Sequence, residues 1–134
     1  MKIDEYFTLE EMTATSYAVD NTPSTQHIVN LCALVHYILM PLRLYMRKPV
    51  VINSGYRCPR LNSLVGGVDN SQHLSGCAAD IHISSEAEGL KMFAFLKQLY
   101  YVDQLLFEHS KNTRWLHVSF SWEPRHNFIA DYEV

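Results

Sequence analysis

Gln104-Leu105-Leu106-Phe107-Glu108 and Trp115-Leu116-His117-Val118-Ser119-Phe120 are two β runs on either side of Ser110-Lys111-Asn112-Thr113, and they read as an antiparallel hairpin. Upstream, Ala78 to Ile83 reads as another strand, and the β-branched run Val50-Val51-Ile52 as a buried one. Between them, Ser54 to Asn70 is loop-like, with Gly55, Pro59, Gly66 and Gly67 and one short helix from Pro59 to Leu64. Ser85 opens a helix carrying Leu90, Phe93, Ala94 and Leu96 on one side. Earlier still, Ser24-Thr25-Gln26 opens a longer one, whose apolar positions Ile28, Leu31, Leu34, Val35, Ile38 and Leu42 recur at helical spacing to about Tyr45. Pro41 lies inside that pattern and should kink or divide it. Thr8 caps a first helical turn, with Glu11 in the capping-box position. Helices come first and strands cluster later. The expected class is α+β, with N-terminal helices packed on a small, mainly antiparallel sheet.

The 134 residues suit one domain spanning 1–134, and the 48% apolar content can fill a core. A formal net charge of −3 with no clustered Lys/Arg surface speaks against nucleic acid as a partner. The most apolar run, Ile28 to Met40, is interrupted by Asn30 and His36, so no membrane insertion is expected. Met1-Lys2-Ile3-Asp4-Glu5-Tyr6 places acidic residues where a secretory signal has basic and apolar ones. Cys32, Cys58 and Cys77 are an odd set at no scaffold spacing, which favours reduced thiols; a Cys58–Cys77 bridge stays open at this point. A monomer is expected.

Chemistry concentrates in three segments: Ser71-Gln72-His73-Leu74-Ser75-Gly76-Cys77-Ala78-Ala79-Asp80, then Asp103 to Glu108, then Trp115 to Ser119. A catalytic zinc site takes three N or O ligands and leaves one position open. His73 and Asp80 bracket a turn of small residues that lets a loop pack close to a strand. His117 sits mid-strand, on a different face from Leu116 and Val118. With the hairpin turning near Lys111-Asn112, Glu108 falls across from Trp115 and shares the face of His117, one diagonal step away. A carboxylate there can take a proton from water activated by the metal. Singly, each of these residues has an ordinary explanation: a satisfied core histidine, or a turn-capping aspartate. Their joint order is what points to a site.

That order resembles the peptidase M15 family of zinc enzymes, which includes D-alanyl-D-alanine carboxypeptidases and phage L-alanyl-D-glutamate endolysins. Ser71 to Asp80 is similar to the family's S-x-H-x-x-G-x-A-x-D signature, and Trp115-Leu116-His117 to its W-x-H element. Ile52-Asn53-Ser54-Gly55-Tyr56-Arg57, then Pro59, Asn62 and Gly66-Gly67, resembles the segment before the signature. The likeness runs from Phe7 through Phe120 and is closest to the short, single-domain branch. It implies a hedgehog/DD-peptidase-like fold, Zn2+ as cofactor, and His73, Asp80 and His117 as its ligands. Hydrolysis of peptidoglycan stem peptides follows, by carboxypeptidase or endopeptidase action.

The resemblance also gives Arg57 a catalytic and substrate-binding role, steadying the scissile carbonyl or a substrate carboxylate. Ser71 is expected to bond the loop or a substrate group. One departure stands out. Better-known members carry an acid three residues before the last histidine, where this chain has Arg114, a permanent cation that cannot act as a base. Glu108 is the expected substitute, with His109 and His82 as weaker ones. A catalytically inactive module that binds cell-wall peptide is the competing expectation. Action on the cell wall without a leader of its own suggests a phage-type lysin released from the cytoplasm.

Overall fold

Thr8 accepts a hydrogen bond from Glu11 N while the Glu11 carboxylate accepts one from Thr8 N at 2.8 Å, closing the expected capping box of α1 (Leu9–Met12). The computed structural model describes residues 1–134. Ser24 caps α2 (Thr25–Leu34), which passes through a π-helical segment, Val35–Leu39, into α3 (Met40–Met46). The π turn, with Met40 N donating to Val35 O, lies immediately before Pro41. Proline removes an N–H and crowds the carbonyl four residues back; a widened turn absorbs both defects without breaking the helix. Pro41 therefore changes the ladder rather than dividing it.

The helix runs on beyond both ends of Ile28 to Met40. Thr25–Met46 forms 22 helical residues, long and apolar enough by length and composition to cross a membrane. Asn30 and His36 do not interrupt it. Its side chains Leu31, Leu34, Val35, Ile38, Leu39 and Leu42 are all buried in the core. Each such burial contributes about 1.5–3 kcal/mol.

Five strands form one sheet in the order β1 (Ile52–Ser54), β2 (Ala78–His82), β4 (Thr113–Phe120), β3 (Val102–Ser110), β5 (Asn127–Glu133). The first three pairings are antiparallel, as expected, whereas β5 runs parallel to β3. The sequence reading assigns no strand after Phe120. β5 is an edge strand with mostly exposed side chains, so it lacks the buried alternation that marks a strand. β1 also lies at an edge and begins later than Val50-Val51-Ile52: Val50 is buried but Val51 faces solvent, its carbonyl accepting from His82 N.

α4 (Pro59–Leu64) lies where expected, capped by the Cys58 sulfur; Cys32, Cys58 and Cys77 are free thiols. In α5 (Glu86–Leu96) the buried stripe is Gly89, Met92, Phe93 and Leu96, while Leu90 and Ala94 face outward. The stripe starts on a glycine because a Cβ there would come within 2.7 Å of the Phe107 ring. A residue with no side chain gives no hydrophobic signal, which is why the sequence rotates this face.

Strand alternation divides the sheet chemically. Ala79, Ile81, Leu105, Phe107, Leu116 and Val118 belong to the apolar core, while Asp80, Leu106, Glu108, Trp115 and His117 line a groove on the other face. One irregularity shapes the groove's end. Val102 pairs with Phe120 but Leu105 with Val118, so β3 carries one extra residue at Asp103-Gln104. The Ser119 hydroxyl accepts from Gln104 N at 3.0 Å, satisfying an N–H that the bulge takes out of the ladder. Asp103, 2% exposed, accepts from Arg125 N, Nε and Nη2 at 2.6, 3.1 and 2.7 Å, and from Gln72 Nε2 at 3.0 Å. It thereby fastens the loop 121–126, which carries the chain across the start of β3 into β5.

Burial alone would push the Asp103 carboxyl up; the Arg125 and Gln72 hydrogen bonds outweigh it and hold the group below its ordinary value. A depressed folded pKa contributes stability above the unfolded value of about 3.9, lost as pH falls through the folded one. Asp103→Asn is therefore expected to cost about 1.5–3 kcal/mol in urea unfolding at pH 7. The gap to the parent chain should close as pH drops below about 4.

Candidate metal centre

The loop before β2 is built to deliver one histidine. Ser71 Oγ accepts from His73 N at 3.2 Å and starts a 3-10 turn, Gln72–Ser75, which Gly76 ends at φ 79. Left-handed backbone suits glycine, and a Cβ at Gly76 would also come within 2.7 Å of the His27 carbonyl in α2. His73 is 2% exposed, and its Nδ1 lies 2.7 Å from Gly55 O. A carbonyl only accepts, so Nδ1 carries a proton and Nε2 is the nitrogen turned toward Asp80 and free to ligate a metal. Gly55 is itself pressed against α1, where a Cβ would meet Met12 O at 2.2 Å.

Asp80 and His117 are direct cross-strand partners of β2 and β4. His117 Nδ1 lies 3.0 Å and His73 Nε2 3.3 Å from Asp80 Oδ1, and the three ligand atoms fall within 4.8 Å of one another. In a tetrahedral zinc site with bonds of about 2.1 Å, neighbouring ligands stand roughly 3.4 Å apart. The donor set, two imidazole nitrogens and one carboxylate oxygen, matches a catalytic zinc site with a position left open. The residues fit the ion. Burial would raise the Asp80 carboxyl, but the His73 and His117 rings override it and hold the group well below the usual carboxylate range.

Arg57 donates Nη2 to Asp80 Oδ2 at 3.1 Å, Nε to Ser54 Oγ at 2.9 Å and Nη1 to Asn62 Oδ1 at 3.2 Å. It lines the groove, yet its clearest task is orienting the aspartate. The hairpin turns where expected, with Lys111 at φ 56 and Glu108 paired with Trp115. Glu108 Oε1 comes within 3.7 Å of His117 Nδ1. Burial raises the Glu108 carboxyl above its ordinary value; His117 opposes the rise and the Asp80 charge adds to it.

Arg114 sits one residue out of phase with His117 and lies over the Phe107 ring, 3.9 Å from Glu86 of α5. It is on the far face of the sheet and takes no part in the site. His109 pairs with Asp131 at 2.8 Å and His82 is exposed; neither lines the groove. Ser71 both caps the histidine turn and lines the groove. Sequence reasoning missed the groove's other wall. The cavity, about 650 Å³, is bounded also by Gln72, Arg125 and Tyr132. Gln72 hides at a variable position of the signature, and Arg125 and Tyr132 belong to the unassigned C-terminal stretch.

A profile described as Peptidase M15 matches residues 5–119. A zinc D-Ala-D-Ala carboxypeptidase of Streptomyces albus G is 46% identical over 39 residues; the match covers 29% of this chain and 15% of that protein. The chain therefore spans only a small part of that relative's length. Donor set and relationship together assign zinc as the cofactor. With the profile covering most of its length, the chain belongs to the peptidase M15 family.

Proposed function

We propose that the chain is a zinc-dependent hydrolase of peptide bonds in peptidoglycan stem peptides, acting as a carboxypeptidase or an endopeptidase on the cell wall. The observation that carries it is a carboxylate, Glu108, held beside a buried His-Asp-His cluster at the floor of an open groove. Zinc bound there supplies Lewis-acid polarisation of a carbonyl and of water. His73, Asp80 and His117 are its ligands, the first fixed by Gly55 O and the second by Arg57. Glu108 accepts a proton from the attacking water and returns it to the leaving amine. Burial moves its pKa upward, the direction that favours taking a proton and then returning it. Arg57, with N–H groups left over from its three partners, can also meet the substrate carbonyl.

Purified protein offered zinc should hold close to one ion per chain by elemental mass spectrometry. His73→Ala and His117→Ala should each lose it. Chains that take up no zinc under those conditions would overturn the assignment of the site.

Glu108→Gln should keep its zinc but release fragments from purified peptidoglycan about 10²–10⁴-fold more slowly. A binding module without turnover would instead show no cleavage in the parent chain and no change in peptide affinity in the variant.

A further inference from the structure

Two arginines line the groove, and the fold leaves one of them largely exposed. Arg57 spends Nε, Nη1 and Nη2 on Ser54, Asn62 and Asp80, and its side chain is only 13% exposed. Arg125 is held differently. Its Nε and one Nη2 hydrogen go to the buried Asp103 carboxylate, while 63% of the side chain stays open. A guanidinium has five N–H donors, so the two Nη1 hydrogens and the second Nη2 hydrogen are unspent. They belong to a group that lines the same cavity as the metal ligands.

We propose that Arg125 is a specificity-determining residue that binds a carboxylate of the peptide substrate, and that Asp103 and Gln72 hold it in place for that task. The inference rests on the peptidase reading above and names the chemistry of the substrate: an acidic peptide. A planar, permanently charged fork fixed on one edge presents its other edge to a second carboxylate with little ordering cost. Asp103 exists in the right place because the β3 bulge inserts it, and Ser119 offsets the bulge's lost backbone bond. Gln72 ties the same carboxylate to the loop whose next residue is His73, so the anion site and the metal site share one support.

Spacing limits which carboxylate is read. Asp103 precedes Leu106, the cross-strand partner of His117, by three residues. At about 3.3 Å per residue, Arg125 is anchored roughly 10 Å along β3 from the metal-ligand level. An extended peptide covers that distance in about three residues. The recognised carboxylate therefore lies within about three residues of the bond that is cut.

The test compares one stem-type tetrapeptide in two forms, carboxyl groups free and converted to carboxamides, on zinc-loaded full chain. The parent chain should show a KM at least tenfold lower for the acid form, with kcat within about threefold. Arg125→Gln should raise KM for the acid form by at least tenfold and leave the amide form unchanged. Arg125→Lys should recover part of the loss, because it keeps the charge without the fork. Arg125→Gln leaves Asp103 buried without its cation, so an Asp103→Asn, Arg125→Gln double variant, checked for folding by circular dichroism, guards against a merely unfolded chain. Equal KM values for acid and amide forms in the parent chain, or an equal effect of Arg125→Gln on both, would overturn the proposal. If neither peptide is cut, the peptidase reading fails separately. Calorimetric binding of the same two peptides then decides the carboxylate claim: a tenfold acid preference abolished in Arg125→Gln supports it, and no preference refutes it.

Discussion

The register between β2 and β4 is the constraint on which the site depends. It sets Asp80 across from His117, with Ala79, Ile81, Leu116 and Val118 turned into the core. Side chains alternate strictly along a strand, so a one-residue slip of β2 would drive the Asp80 carboxylate into the apolar layer and expose Ala79 and Ile81, and a slip of β4 would do the same with the His117 imidazole, Leu116 and Val118. The burial that stabilises the sheet and the geometry that gathers the ligands are therefore one requirement. The third member of the cluster, His73, arrives from a loop, and its position is fixed by a separate chain of contacts: Gly76 against α2, His73 Nδ1 on Gly55 O, and Gly55 against α1.

Such a site is expensive in free energy. Asp80, His73 and His117 are all less than 10% exposed, and Arg57 and Glu108 are nearly as enclosed. Buried charges are tolerated when paired and hydrogen-bonded. Here Asp80 is surrounded by two imidazoles and a guanidinium, so removing any one partner leaves a charge short of compensation. The same logic operates at the groove's other end, where Asp103 is buried solely among Arg125 and Gln72 donors. Two buried carboxylates, one on β2 and one on β3, anchor the two halves of the groove.

Much of this was legible in the chain. The Thr8–Glu11 capping box, the Ser24 and Ser85 caps, the Pro59–Leu64 helix and the hairpin around Lys111 all rest on local chemistry that needs no tertiary context. The diagonal relation of Glu108 to His117 followed from hairpin register alone. What stayed hidden depended on packing. Gly89 begins a buried face without a side chain to announce it, a π turn carries the long helix past Pro41, and β5 pairs along a single edge with few buried residues. Arg125 was invisible for the same reason: its partner sits on a bulge that no hydrophobic period reports. Arg114 shows the converse. It stands three residues before the last histidine, where the better-known members carry the catalytic acid, yet strand alternation turns it to the opposite face.

X-ray absorption at the zinc edge of the metal-loaded chain tests the central claim most directly. Ligation by His73, Asp80 and His117 predicts a shell of nitrogen and oxygen scatterers at about 2.0–2.2 Å, with the outer-shell signature of two imidazoles. A sulfur shell near 2.3 Å would place the ion on the free cysteines instead and contradict the account.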